Sequence, residues 1–164
     1  MTIPRLLTLG LLLTLLLPCH SSAQQSSEAF PAISGKTLAG GKFELTGLKG
    51  KPVLIKIGTT WCGACQQQSK EIEELSGFLK SNHIHFIDVY VQESAATVNQ
   101  YLHDNGMSPP ETVILDDGGI AKQLNVYLIP RVILLDKEHK IYRDGGIISS
   151  KNLKETLQAM LDNK

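Results

Sequence analysis

The sequence predicts one α/β domain: a mixed sheet with helices on both faces. Two runs dominate that expectation. Val53–Leu54–Ile55–Lys56–Ile57 and Ile84 to Val91 are rich in β-branched and aromatic residues and suit buried strands. Each is followed by a stretch with helical spacing, so the chain alternates strand, helix, strand. Its last third then turns back through a polar Lys137–Glu138–His139–Lys140 and ends in a helical pattern. The length of 164 residues suits a single domain.

The elements follow in order. Phe30 to Gly41 is Gly-rich and reads as turn, and Lys42–Phe43–Glu44–Leu45 alternates as an edge strand does. Gly50–Lys51–Pro52 punctuates the chain before the first buried strand. From Ala64 to about Leu79, Cys65, Ser69, Ile72, Leu75 and Leu79 recur at the spacing of one helix face. Ser94 can cap a helix reaching about Asn105. Thr112 to Leu115 reads as a short strand, Gly119 to Leu124 as a brief helix and Arg131 to Leu135 as a strand with Ile141 to Arg143 as its hairpin partner. Ser150 can cap the final helix, which turns Leu153, Leu157, Met160 and Leu161 inward.

Composition narrows the function. Sixteen Lys and Arg against sixteen Asp and Glu imply no general attraction to nucleic acid or anionic lipid. The apolar residues concentrate at the start, MTIPRLLTLGLLLTLLLPCHSSAQQ, where Arg5, an apolar run from Leu6 to Leu17 and Ser21–Ser22–Ala23 have the layout of a secretory signal peptide. The run falls short of the roughly 20 apolar residues of a spanning helix. We therefore expect residues 1–23 to be removed, residues 24–29 to form a flexible polar lead-in, and residues 30–164 to form the domain. A retained anchor and a lipoprotein at Cys19 are the weaker readings; Pro18 stands where a lipoprotein signal carries a small residue. Cleavage takes Cys19 away, leaves Cys62 and Cys65, and places the chain in a compartment where disulfides persist.

Those two cysteines lie in "TTWCGACQQQ", Thr59 to Gln68. A structural zinc site needs about four ligands, and neither a second cysteine pair nor a finger-like histidine pair follows. Haem attachment needs a histidine after the second cysteine, where Gln66 stands. A purely structural disulfide across so short a loop removes little unfolded-chain entropy. A redox couple uses every feature. Cys62 falls where a helix begins, and free N–H groups and the helix dipole there favour a thiolate. Cys62 attacks a client disulfide, and Cys65, one turn on and more buried, resolves the mixed disulfide. Trp61 shields the couple and offers an apolar contact surface, and Gly63 lets a client backbone approach.

On these residues the segment resembles the active site of thioredoxin-fold proteins, and the chain from Phe30 to Leu161 is similar to the TlpA/ResA-type extracytoplasmic thiol–disulfide oxidoreductases. The resemblance rests on "LKGKPVLIKIGTTWCGAC", "VYVQES" and "LNVYLIPRVILLDKEHKIYRDGG". It implies a thioredoxin-like fold with an N-terminal extension and a βα insertion. It further implies a cis Ile129–Pro130 bond facing the cysteines, with Ile129 offering its backbone to an extended client. Glu93 matches an acidic residue near the family's active-site cavity; a solvated loop charge is the alternative reading of equal standing.

The chain departs from the family pattern in three places. Gln68 replaces a common glutamate, and Arg131 replaces a small hydroxyl residue, adding positive charge beside the groove. Lys56 stands beneath the cysteines, where relatives carry aspartate or asparagine. Either its stem packs while the amine snorkels out, or the amine approaches the cysteines to stabilise a thiolate or accept a proton. None of His83, His85, His103 and His139 reads as catalytic.

The expected function is periplasmic disulfide reduction through Cys62 and Cys65 by a monomer without metal, nucleotide or flavin. Electrons would come from a membrane partner or another thioredoxin-like domain, and clients in some family members include apo-cytochrome c. An oxidase or isomerase, and a non-catalytic binding module, are the alternatives.

Overall fold

The computed structural model describes residues 29–107 and 109–163; the expected signal peptide and most of the lead-in lie outside them. Seven strands form one mixed sheet: β1 (Ser34–Thr37), β2 (Lys42–Glu44), β3 (Val53–Gly58), β4 (His85–Val91), β5 (Thr112–Asp116), β6 (Arg131–Leu135) and β7 (Ile141–Gly145). Their order is β2-β1-β5-β4-β3-β6-β7. The central β5, β4 and β3 run parallel, and antiparallel pairs flank them on both sides.

The helices are α1 (Gly63–Glu73), α2 (Ser76–Ser81), α3 (Ala95–Asp104), α4 (Gly119–Gln123) and α5 (Ser150–Asp162), with a 3-10 turn at Leu45–Leu48. Successive side chains of a strand point to opposite faces, so β3 divides its residues between two cores. Ile55 and Ile57 join Ile87, Val89 and Ile133 under Ile120 and Leu124 of the α4 region. Leu54 joins Val132 and Leu134 under Ile72 of α1, Leu79 of α2 and Leu153, Leu157 and Met160 of α5. Lys56 and Gly58 share the face of Leu54, beneath α1. That parity places the site.

Four expectations need correction. The turn read over Phe30 to Gly41 contains β1, pinned between β2 and β5. Its sequence, Ser-Gly-Lys-Thr, has no apolar alternation to announce a strand, yet Gly35 is needed there: a Cβ would lie 2.6 Å from Ile114 Cγ2. The single helix from Ala64 to Leu79 is two, α1 and α2, interrupted at Glu74–Leu75 just before Ser76 and Gly77, a pair of low helix propensity. The last helix is capped by Ser149, whose hydroxyl accepts from Asn152 N–H, and Ser150 is already helical. The lead-in ends one residue early, because Ala29 bridges to Lys140. The strand from Lys42 does lie at the sheet edge, and α3 is capped by Ser94 as its sequence indicates. Among the described residues, no helix is long and apolar enough to cross a membrane.

Candidate active site

Strand β3 delivers the chain to the start of α1, and Cys62 is the residue that caps it. Its backbone is still extended, and its sulfur accepts the Cys65 N–H at 3.2 Å. A helix of 11 residues begins there, and the Cys65 N–H is one of the N–H groups its first turn leaves without an intrahelical partner. Cys65, one turn on, is fully buried, whereas Cys62 is partly exposed. The two sulfurs stand 2.6 Å apart, close enough to exchange a disulfide between them.

Their environments differ. Burial first, then the contact with the Cys62 sulfur, pushes the Cys65 thiol from an ordinary 9.0 up to about 12, against opposing pulls from the Thr59 backbone and Lys56. Cys65 therefore holds its proton at neutral pH. Iodoacetamide at pH 7.5 is expected to alkylate Cys62 alone in the folded, reduced protein, read by peptide mass, with Cys65 reacting only after unfolding. A linked effect on stability follows. The unfolded thiol ionises near 9 and the folded one near 12, so the stabilisation is complete below pH 9 and is lost as pH climbs through 12. Melting of the reduced protein should drop above pH 9 relative to the oxidised form.

The loop before Cys62 is clamped. The Glu93 carboxylate accepts the Thr60 N–H at 2.9 Å and its hydroxyl at 2.5 Å, while Gln66 Nε2 donates to the Thr60 carbonyl at 2.7 Å. Glu93 thus positions the loop and is no free solvated charge. Trp61 projects beyond this clamp, 74% exposed. Gly63 borders open space, where even a Cβ would meet nothing within 4 Å. On the other side, β6 pairs Arg131 with Ile57 of β3, which sets the preceding cis Ile129–Pro130 bond beside the end of β3. Before it, Tyr127 and Leu128 are 86% and 84% exposed, an apolar pair on the loop leading to that bond.

Beneath the dithiol, Lys56 does not snorkel. Its side chain is 1% exposed, and its Nζ lies 2.7 Å from Ser69 Oγ and 2.8–2.9 Å from both Asp88 oxygens. The Tyr90 ring lies under the same amine, 4.9 Å from ring centre to nitrogen. Asp88 is the residue directly across from Lys56 in the parallel β3–β4 pairing. Gly58 completes the packing, since a Cβ there would sit 2.9 Å from Cys65 Sγ and 3.7 Å from Lys56 Cε. Sequence reasoning missed Asp88, Ser69 and Gly58 as parts of this site. Asp88 carried a signal: a charge inside an apolar strand needs a partner of opposite sign, and Lys56 is the other such charge.

Arg131 also differs from expectation. Its guanidinium grips both Asp144 oxygens and the Leu124 carbonyl, and Asp144 holds it firmly charged. It ties the loop before β6 to β7, and its own charge is matched by Asp144. Gln68 is fully buried, and its Oε1 accepts the Ile148 N–H at 2.7 Å, a structural contact to the segment leading into α5.

An asymmetric dithiol at a helix start, on a thioredoxin-like sheet, defines a thiol–disulfide exchange site. Comparison with known proteins agrees: the chain belongs to the Redoxin family, whose model matches residues 25–155, and within it to the ResA-type thiol–disulfide oxidoreductases. It is 30% identical over 125 residues to the thiol-disulfide oxidoreductase ResA of Bacillus thuringiensis, covering 76% of this chain and 69% of that one. It is 29% identical over 117 residues to the thiol:disulfide interchange protein DsbE of Vibrio cholerae, covering 70% and 60%. Among solved structures, a thioredoxin-family thiol:disulfide interchange protein from Chlorobium tepidum superposes with a TM-score of 0.72 at 22% identity, covering 85% of this chain and 99% of that one.

Proposed function

We propose that this oxidoreductase works outside the cytoplasm as a reductase of protein disulfides. Cys62 attacks a client disulfide as thiolate, forms a mixed disulfide and releases one client sulfur. Cys65 then gives up its proton and attacks the Cys62 sulfur; the second client thiolate leaves, and the chain ends as the Cys62–Cys65 disulfide. Two electrons pass to the client. The dithiol carries both, so the reaction calls on no metal, nucleotide or flavin, and a dithiol donor, membrane-bound or thioredoxin-like, must restore it. Trp61, Gly63 and the Ile129–Pro130 loop border the client's approach. Apo-cytochrome c is a client that follows from the family resemblance alone, and the extracytoplasmic setting follows from the signal-like Met1 to Ala23.

The observation that carries the direction is charge balance. A strongly oxidising couple needs its reduced thiolate stabilised, yet Lys56, the amine beneath the dithiol, is already matched by Asp88, and Arg131 by Asp144. Cys65 stays a thiol. The assigned roles are tested with a Cys65→Ser variant, which should accumulate a stable mixed disulfide with a disulfide-bonded protein client such as insulin. Free turnover in that variant would overturn the division of labour between the two cysteines.

A further inference from the structure

Between α1, α2, β4 and the end of α3 lies a cavity of about 340 Å³ that disulfide exchange leaves unused. Ile72, Leu79, Ile84, Phe86, Leu102 and Met107 give it apolar walls. Its buried end carries Ser69 and Asp88, and its exposed rim carries Glu73, Ser76, Lys80 and Glu111. The volume falls within the range of small-molecule pockets, roughly 300–1,000 Å³.

A second hollow adjoins the first. Lys51, Lys80, His83, His85 and Glu111 line it, so Lys80 and Glu111 are common to both. The chain gathers these residues at the entry to the central strands. His83 takes a left-handed backbone, φ 55°, and its N–H donates to the Lys80 carbonyl at 3.2 Å. Lys51 precedes Pro52, whose carbonyl accepts the His85 N–H at 2.9 Å. The two lysines and two histidines meet one carboxylate there, Glu111, which lies 2.8 Å from His85 Nδ1. The other ring nitrogen of His85 is 2.8 Å from Thr112 Oγ1, so that ring is fully engaged. Among the described residues, Lys51, Lys80 and His83 enter no ion pair. Glu73, on the α1 side of the rim, is not part of this basic hollow.

We infer that the two hollows form one binding site for a small anionic amphiphile, its apolar body in the cavity and its acid head between Lys51, Lys80 and His83. A hydrocarbon body gains by leaving water for the apolar walls. Charge fixes the orientation. An acid head pushed inward would meet apolar side chains and the Asp88 carboxylate, whose only cation, Lys56, is already shared with it. Turned outward, the head meets ammonium groups and water. An inorganic anion would leave the apolar cavity empty, and a neutral hydrocarbon would leave the lysines unused. The site is separate from the client face: Ser69, on its wall, stands about two helical turns beyond Cys62, roughly 10 Å along the axis. It takes its ligand whichever way the dithiol passes electrons.

Decanoate, kept monomeric, is the probe, titrated into the folded protein by calorimetry at pH 7 and low salt. One equivalent should bind and raise the melting temperature, as a ligand held only by the native state does. Acetate keeps the head without the body, and decylamine keeps the body with the opposite charge; each should bind at least tenfold more weakly. Lys51→Glu/Lys80→Glu should weaken decanoate at least tenfold without unfolding the chain, since both lysines are exposed. Met107→Trp, which fills the cavity, should weaken it by a similar factor. Failure of decanoate to bind, binding that ignores either variant, or equal binding of decylamine would overturn the site. Retention on phosphatidylglycerol vesicles without binding of monomeric decanoate would give the basic hollow to a lipid surface and overturn it as well.

Discussion

Cys62→Ser should abolish disulfide turnover, lowering insulin reduction by more than a thousandfold, while the melting temperature stays within a few degrees. The loss is large because the attacking sulfur itself is gone: a serine hydroxyl is far less acidic than a thiol, and only the ionised sulfur attacks disulfides. Stability should hold, because Cys62 is only partly buried and serine is a favoured helix cap able to accept the same Cys65 N–H. Turnover near wild type would mean that the chemistry lies elsewhere. A variant that loses activity by unfolding would mean that the cap, and not the sulfur, is what Cys62 supplies.

The second large effect is on stability. Lys56→Met should destabilise the fold by about 3–5 kcal/mol, because it strands the Asp88 carboxylate in the interior. The double variant Lys56→Met/Asp88→Leu should recover most of that loss, since replacing both partners of a buried pair with apolar groups is often neutral or better by about 1–4 kcal/mol. Urea unfolding of the single and double variants measures both. A single variant as stable as wild type would show that Asp88 finds its own solvation without Lys56. A double variant as unstable as the single would show that the pair supplies packing that Met and Leu cannot.

The sequence made the central sheet and the position of the dithiol readable, because β3 and β4 are mostly apolar runs, each carrying one buried charge, Lys56 and Asp88, and Cys62 falls at a strand-to-helix junction. What it concealed is non-local. Strand β1 is polar throughout and exists because β2 and β5 hold it from either side. The boundary between α1 and α2 hides in a periodicity that continues across it, since Leu75 and Leu79 keep the same face. Lys56 was visible as an anomaly, but its fate depended on Asp88, 32 residues away and opposite it only once the strands pair. Arg131 was visible as a charge; Asp144, its partner across the β6–β7 pairing, turns it from a client-facing cation into a fastening.

The reduction potential of the Cys62–Cys65 couple tests the central claim most directly: protein equilibrated in thiol buffers, then alkylated, with free thiols counted by mass. With Lys56 and Arg131 matched by carboxylates, the account predicts a potential near or below about −250 mV, on the thioredoxin side of the known range. A value near −120 mV, the side of strong oxidants, would contradict it and show that the reduced thiolate is stabilised after all.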